Sequence, residues 1–314
     1  MKPLAWIFGA GVGLRNSLYS HGLLKQHRLR GPTISIGNLS VGGSGKTPFV
    51  LLLGDLLRSR RLTFDVLSRG YGRRSKGVLE VDPGGSAQDF GDEPLLIARK
   101  LGVPVILGED RYQAGVFAEE KFARHMHLLD DGFQHRALAR DFDIVLVTAE
   151  DARDSLLPAG RLREPLSALS RADAVVLTSG ASTDSFPLDG KQVWRVRRGI
   201  SLPIVPDRAV AFCGIARPKS FFLQLQKAGV DVVAEAVYRD HHSYTERDIR
   251  ELLALKKSSE ATGFVTTEKD AINLGGYLSA LQPLAMASVT MELIDATNAI
   301  DTMLRIIEER RQRT

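Results

Sequence analysis

The sequence predicts an α/β fold: a P-loop NTPase-like parallel sheet domain with a second, smaller α/β domain. Three observations carry this expectation. Short, uniformly apolar runs alternate with helical patterns, as strands buried on both faces alternate with crossover helices. A glycine-rich stretch, "SVGGSGKT" (40–47), stands between such a run and a helix. A polar, turn-rich stretch, "SGASTDSFPLDGKQ" (179–192), separates two series of strands.

In chain order, "TISIG" (33–37), "TFDVLS" (63–68), "VPVIL" (103–107), "HLLD" (127–130) and "DIVLVT" (143–148) read as buried strands. "PFVLLLGDLLRSR" (48–60) and "EPLLIARKL" (93–101) read as helices between them. Strands resume with "AVVLT" (174–178), "VWRVRR" (193–198), "AVAFCG" (209–214), "VDVVAEAVY" (230–238) and "GFVTT" (263–267). "PKSFFLQLQKAG" (218–229) and "ERDIRELLALKKS" (246–258) are the helices of that series. The last pattern, "NAIDTMLRIIEERRQR" (298–313), is amphipathic and ends in cations that suit a helix C-terminus. The expected division is a basic amphipathic segment at 1–30, a P-loop core at 31–170, a smaller α/β domain at 171–290 and a C-terminal helix at 291–314.

The chain has 314 residues, 44% hydrophobic and 25% charged, with a net charge of +5. These are ordinary values for a globular protein able to bury its own core. Cys213 is the single cysteine, so no internal disulfide forms and a reducing compartment fits. Residues 1–30 hold Lys2, Arg15, Lys25, Arg28 and Arg30 but no acid, set among Leu4, Trp6, Ile7, Val12, Leu14, Leu18, Leu23 and Leu24. The apolar part is too short to span a bilayer and lacks a secretory cleavage site. A helix in the membrane interface and a helix docked on the protein's own core both fit it. No basic run interleaves with aromatics, which argues against nucleic acid as a partner.

The stretch 40–47 follows a strand and opens a helix at Lys46, with Pro48 tolerated in the first turn. Glycine-rich backbone there lets the N–H groups of Ser40, Val41, Gly42, Gly43, Ser44 and Gly45 converge on phosphate oxygens. Lys46 reaches the terminal phosphates and the Thr47 hydroxyl can hold Mg²⁺. Ser40 replaces the usual first glycine of such a loop, and Gly42–Gly43 supply the flexibility. Asp130 and Asp131 end an apolar strand, where one carboxylate can hold Mg²⁺ directly and the other through water. His125 and His127 alternate on that strand and read as packing. No His/Cys group has zinc spacing.

Together, "GNLSVGGSGKTP", "SRGYGR", "GDEP", "DDGFQHR", "GRLREP", "AFCGIARP", "DHHSYT" and "TEKD" resemble the tetraacyldisaccharide 4′-kinase (lipid A 4′-kinase) family, in order and over nearly the whole chain. The resemblance implies transfer of a phosphoryl group from ATP, with Mg²⁺, to the 4′-hydroxyl of a tetraacylated glucosamine disaccharide 1-phosphate. It implies a peripheral position on the cytoplasmic face of the bacterial inner membrane, with the N-terminal segment on the membrane surface. No obligate protein partner is expected. The resemblance favours Asp92 as the base, paired with His241, over its alternative as a helix N-cap. His241 is preferred to His242 because it directly follows Asp240, as in the family's Asp-His pair.

For the acceptor's 1-phosphate, Arg111 is the first choice, with Arg69 and Arg136 available. Gln134 and His135 are placed to grip sugar or nucleotide, and Glu164 to reach the magnesium shell. Asn38, Tyr71 and Glu93 complete the expected substrate set. Lys269 and Asp270 read as helix caps or as a nucleotide-side contact. If Asp92 and His241 act together, the site lies between the domains. The competing readings are a P-loop ATPase switch, a kinase or synthetase acting on a soluble molecule, and a non-catalytic peripheral membrane protein. Val41 stands where many switch ATPases carry a lysine, which argues against the first.

Overall fold

The computed structural model describes residues 2–122, 126–178 and 180–313. A 19-residue helix, α1 (Lys2–Ser20), precedes the sheet. β1 (Thr33–Asn38) is buried along its whole length and leads through the glycine loop into α2 (Lys46–Ser59). β2 (Phe64–Ser68), β3 (Leu79–Glu80), α3 (Ala87–Phe90), α4 (Asp92–Leu101), β4 (Val105–Leu107), α5 (Arg111–Lys121), β5 (Met126–Asp130) and β6 (Phe142–Val147) follow. β1 lies between β5 and β6, parallel to both, and β2 continues the sheet beyond β5. Strands this apolar need cover on both faces. α2 covers one with Phe49, Val50, Leu53 and Leu57, packed with Leu95 and Leu101 of α4. α5 covers the other with Ala114 and Ala118.

β7 (Ala174–Leu177) pairs in parallel with β6. This moves the expected boundary at 171, because 174–177 continues the parallel series that holds β1 and β6. β8 (Gln192–Ser201) is the true link. Its first residues pair with β7, and its last six run antiparallel to a strand near the end of the chain, β12. Between them lie β9 (Ala209–Cys213), α6 (Pro218–Lys227), β10 (Val232–Val237), α7 (Glu246–Ser258), β11 (Gly263–Thr267), α8 (Glu268–Leu274) and then β12 (Leu284–Leu293) itself. The described strands thus form one twelve-stranded sheet, ordered β10-β9-β11-β12-β8-β7-β6-β1-β5-β2-β4-β3. α6 and α7 cover its smaller end through Phe221 and Leu225 on one face and Ile249 and Leu252 on the other.

β3 and β12 were not expected. β3 is two residues long, and β12 carries no uniform apolar run. The last helix, α9 (Ala296–Gln312), packs on the first unit, where Ile300, Met303 and Ile307 join the α2 core. Arg310 pairs with Asp173, and Arg311 with Asp141. His127 is buried, but as part of a charged group: Nδ1 lies 2.9 Å from Asp65 and Nε2 3.3 Å from Glu119. His125 lies outside the described residues.

Candidate functional site

The parallel strands end on a cleft of about 760 Å³ between the two units. Residues 41–47 form its floor. Gly42 at φ +83° and Gly45 at φ +90° hold backbone that side-chain-bearing residues rarely adopt, which turns the loop into the first turn of α2. Ser40 is buried beneath the loop, and Val41 N donates to Arg161 O at 2.9 Å. Lys46 Nζ donates to Asn38 Oδ1 at 3.1 Å and lies 3.4 Å from Asp131. Asn38 is therefore a buried support for the lysine rather than part of the cleft wall.

Asp130 and Asp131 stand at the end of β5 beside this lysine. Burial pushes the Asp130 carboxyl up to about 7, helped by the nearby charges of Glu93 and Asp131, although Ser68 Oγ donates to it at 3.0 Å. Burial also acts against Asp131, but Lys46 and Arg163 outweigh it and hold this carboxyl below the usual range. Arg163 Nη1 lies 2.9 Å from Asp131. A buried carboxylate crowded by two others fits a hard cation. The oxygen donors that could hold Mg²⁺ here are the Thr47 hydroxyl, Asp130 and Asp131. Among the described residues no three His, Cys, Asp or Glu side chains form a metal cluster. A nucleotide-bound Mg²⁺ does not need one, because phosphate and water complete its octahedron.

The opposite wall pairs the two units. Gly91, at φ +87°, caps α4 and puts Asp92 on the first helical residue. His241, on the loop before α7, has left-handed backbone at φ +57°. Its Nδ1 lies 2.9 Å and 3.0 Å from the two Asp92 oxygens, and Asn273 Nδ2 donates to the same carboxylate at 3.0 Å. Lys269 stands 3.7 Å from Asp92, 3.1 Å from Glu93 and 3.6 Å from Asp240. Burial raises the Asp92 pKa, but the His241 hydrogen bond and the Lys269 charge more than cancel it, and the net shift is downward. The Asp92 hydrogen bond raises the His241 pKa against the opposing effect of burial. His242 turns away, to Asp248 at 3.0 Å.

Arg69, Tyr71 and Glu93 line the cleft, with Tyr71 exposed and its ring 5.8 Å from that of His241. Among the expected contacts that do not line it are Ser40 and Asn38, placed above, and Arg111, Gln134, His135 and Glu164. Arg111 is buried behind the aspartates, donating to Gly108 O at 3.1 Å. Burial, then the Arg111 charge, depresses the His135 pKa to about 4. Glu164 is held by Arg171 at 2.9 Å and by Asn16, and it accepts from Gln134 Nε2 at 3.1 Å. It is linked to Asp131 through Gln134 and Arg163. Sequence reasoning missed Arg163, Asn273, Arg198 and Arg217. Arg163 was legible as the neighbour of Glu164 in "GRLREP" and Arg217 as part of "AFCGIARP"; Asn273 and Arg198 carry no local signal.

Residues 1–308 match the family model described as Tetraacyldisaccharide-1-P 4'-kinase. The chain belongs to that family. A Koribacter versatilis relative named tetraacyldisaccharide 4'-kinase is 52% identical over 99% of both chains. An Aquifex aeolicus relative of the same name is 40% identical over 88% of this chain and 90% of its own. The crystal structure of LpxK from Aquifex aeolicus in complex with ATP superposes with a TM-score of 0.81 at 36% identity, covering 97% of this chain and 98% of that one. Family membership makes the chain an ATP-dependent kinase of lipid A biosynthesis.

Proposed function

We propose that the chain moves the γ-phosphoryl group of ATP to the 4′-hydroxyl of a tetraacylated glucosamine disaccharide 1-phosphate, with Asp92 as the base. The observation that carries this is the pair of buried Asp92 and half-buried His241 facing the glycine loop across one cleft. The loop N–H groups and Lys46 hold the phosphates, and Arg163 keeps Asp131 aimed at them. Mg²⁺, bound by Thr47, Asp130 and Asp131, would neutralise charge on the β- and γ-phosphates. Asp92, ionised and hydrogen-bonded to His241 Nδ1, accepts the hydroxyl proton as the acceptor oxygen reaches phosphorus. A loose transition state asks only modest basicity of it. Lys269 and Asn273 fix the carboxylate's orientation.

The acceptor's lipid character fits the N-terminal helix. Leu4, Trp6, Ile7 and Leu14 are exposed, while the far end of α1 is tied down by Arg136 Nη1 donating to Asn16 O at 2.6 Å. No described helix is long and apolar enough to cross a membrane. We therefore assign α1 to the membrane interface, with the cytoplasmic leaflet as its site. A small apolar groove between Ala5, Trp6, Gly9 and Leu156 offers space for acyl chain. The test is incubation with Mg-ATP and the lipid disaccharide 1-phosphate. A mass gain of one phosphate on the distal sugar is expected, and no gain refutes the reading.

A further inference from the structure

β8 carries three arginines in four residues, Arg195, Arg197 and Arg198. Arg197 points to solvent and pairs with Glu292 of β12 at 3.1 Å. Arg198 points the other way, into the cleft. Its ladder partner is Met291. A Cβ placed on Gly45 would lie 3.4 Å from Met291 Cε and 3.6 Å from Arg198 Nη1. The guanidinium is therefore packed against the turn where the glycine loop enters α2.

This cation has no acid. Lys46 and Arg163 share Asp131, Lys269 is ringed by three carboxylates, and Arg217 pairs with Glu150 at 2.8 Å. Among the described residues Arg198 makes no ion pair, and its Nε is buried without a hydrogen-bond partner. The charge that acts on it is another cation, Arg217, whose stem lies 3.0 Å from a Cβ position on Gly43. Burial and that like charge both lower the Arg198 pKa. Holding a partly buried guanidinium beside a second cation costs free energy unless an anion completes the site. The neighbouring backbone is the loop that takes phosphate, and a planar fork of donors matches phosphate oxygens.

We propose that Arg198 donates to the phosphate chain of the nucleotide seated in the glycine loop, so that the linker strand β8 completes a phosphate site the loop only begins. This rests on the kinase reading and adds a residue to it. It also assigns β8 a role beyond connection. Its first residues pair with the first sheet and its last with β12, so an anion held by Arg198 ties the linker to the loop.

The test uses the full chain with Mg²⁺ and compares wild type, R198Q and R198K. Affinities for ATP, ADP and adenosine are measured by displacement of a fluorescent nucleotide, and Tm is measured without nucleotide. R198Q should bind ATP and ADP about 10- to 100-fold more weakly, the range of a charge-assisted hydrogen bond. Adenosine affinity should stay within about twofold, because the guanidinium contacts phosphate and not base. R198K should fall between, keeping the charge but not the fork. The nucleotide-free Tm of R198Q should equal or exceed that of wild type, since an uncompensated cation is removed. Unchanged ATP affinity overturns the proposal. So does an equal loss for adenosine, or a lowered nucleotide-free Tm, which marks a structural arginine. If wild type fails to phosphorylate the lipid while R198Q still loses ATP and ADP, the acceptor reading falls and this assignment stands.

Discussion

Replacing Asp92 with asparagine keeps the shape of the side chain and removes its charge. Asp92 is 5% exposed and accepts from His241, Asn273 and the Glu93 backbone at 2.8–3.0 Å. If it is the base, its loss forfeits about 10²- to 10⁴-fold in kcat. At about 1.36 kcal/mol per tenfold, that raises the barrier by about 3 to 5 kcal/mol. The fold should tolerate the change, because Lys269 keeps Glu93 at 3.1 Å and Asp240 at 3.6 Å. ATP affinity should stay within about threefold, since the phosphate cradle lies on other elements. H241A should cost less, about 10- to 100-fold, because the imidazole acts through the carboxylate. The double variant should be no slower than D92N alone, as expected for groups that act as a unit. The assay is steady-state transfer of labelled phosphate to the lipid acceptor, with ATP affinity measured separately. A D92N chain with kcat near wild type, or a loss confined to ATP affinity, would refute the reasoning, as would fully additive losses in the double variant.

Followed by NMR in the nucleotide-free chain, the Asp92 carboxyl should titrate below the usual carboxylate value of about 4, because the net shift on it is downward. A titration above that value contradicts the assignment. Glutamates at Trp6 and Ile7, which are 82% and 68% exposed, should abolish co-sedimentation with anionic vesicles while leaving Tm within about 2 °C. Retained vesicle binding removes α1 as the contact. Burial would lower the His127 pKa, but Asp65 and Glu119 raise it overall. A raised folded pKa adds stability that is complete below the unfolded value of about 6.5 and is lost as pH climbs through the folded one. H127Q should therefore lose about 3 to 5 kcal/mol near pH 6 and less at alkaline pH, read by chemical denaturation. A deficit independent of pH would contradict this.

The strands and the loop were legible because they depend on neighbours along the chain. A buried strand declares itself in a run such as 143–147, and "GGSGKT" declares a turn that only glycine backbone makes before a helix. β12 escaped because only three of its ten residues are buried and its antiparallel partner, β8, is more than eighty positions away. Asp92 was singled out as an acid after glycine, but its pairing with His241, 149 positions on, came from family resemblance and not from residue spacing. His127 read as packing because both of its carboxylate partners sit on other elements.

The sequence by itself determined the periodicity of the elements, the phosphate loop with its lysine and threonine, the paired aspartates and the basic apolar N-terminus. All of these follow from residue type and short-range geometry. Only the tertiary structure decided which charges lose water and which neighbours compensate them. It separated Asp130 from Asp131, drew Lys269 and Asn273 onto Asp92, took Glu164 away to Arg171 and left Arg198 without an acid. The physical reason is that desolvation and Coulomb energy depend on distances through space of a few ångströms, and the order of residues along the chain does not encode those distances.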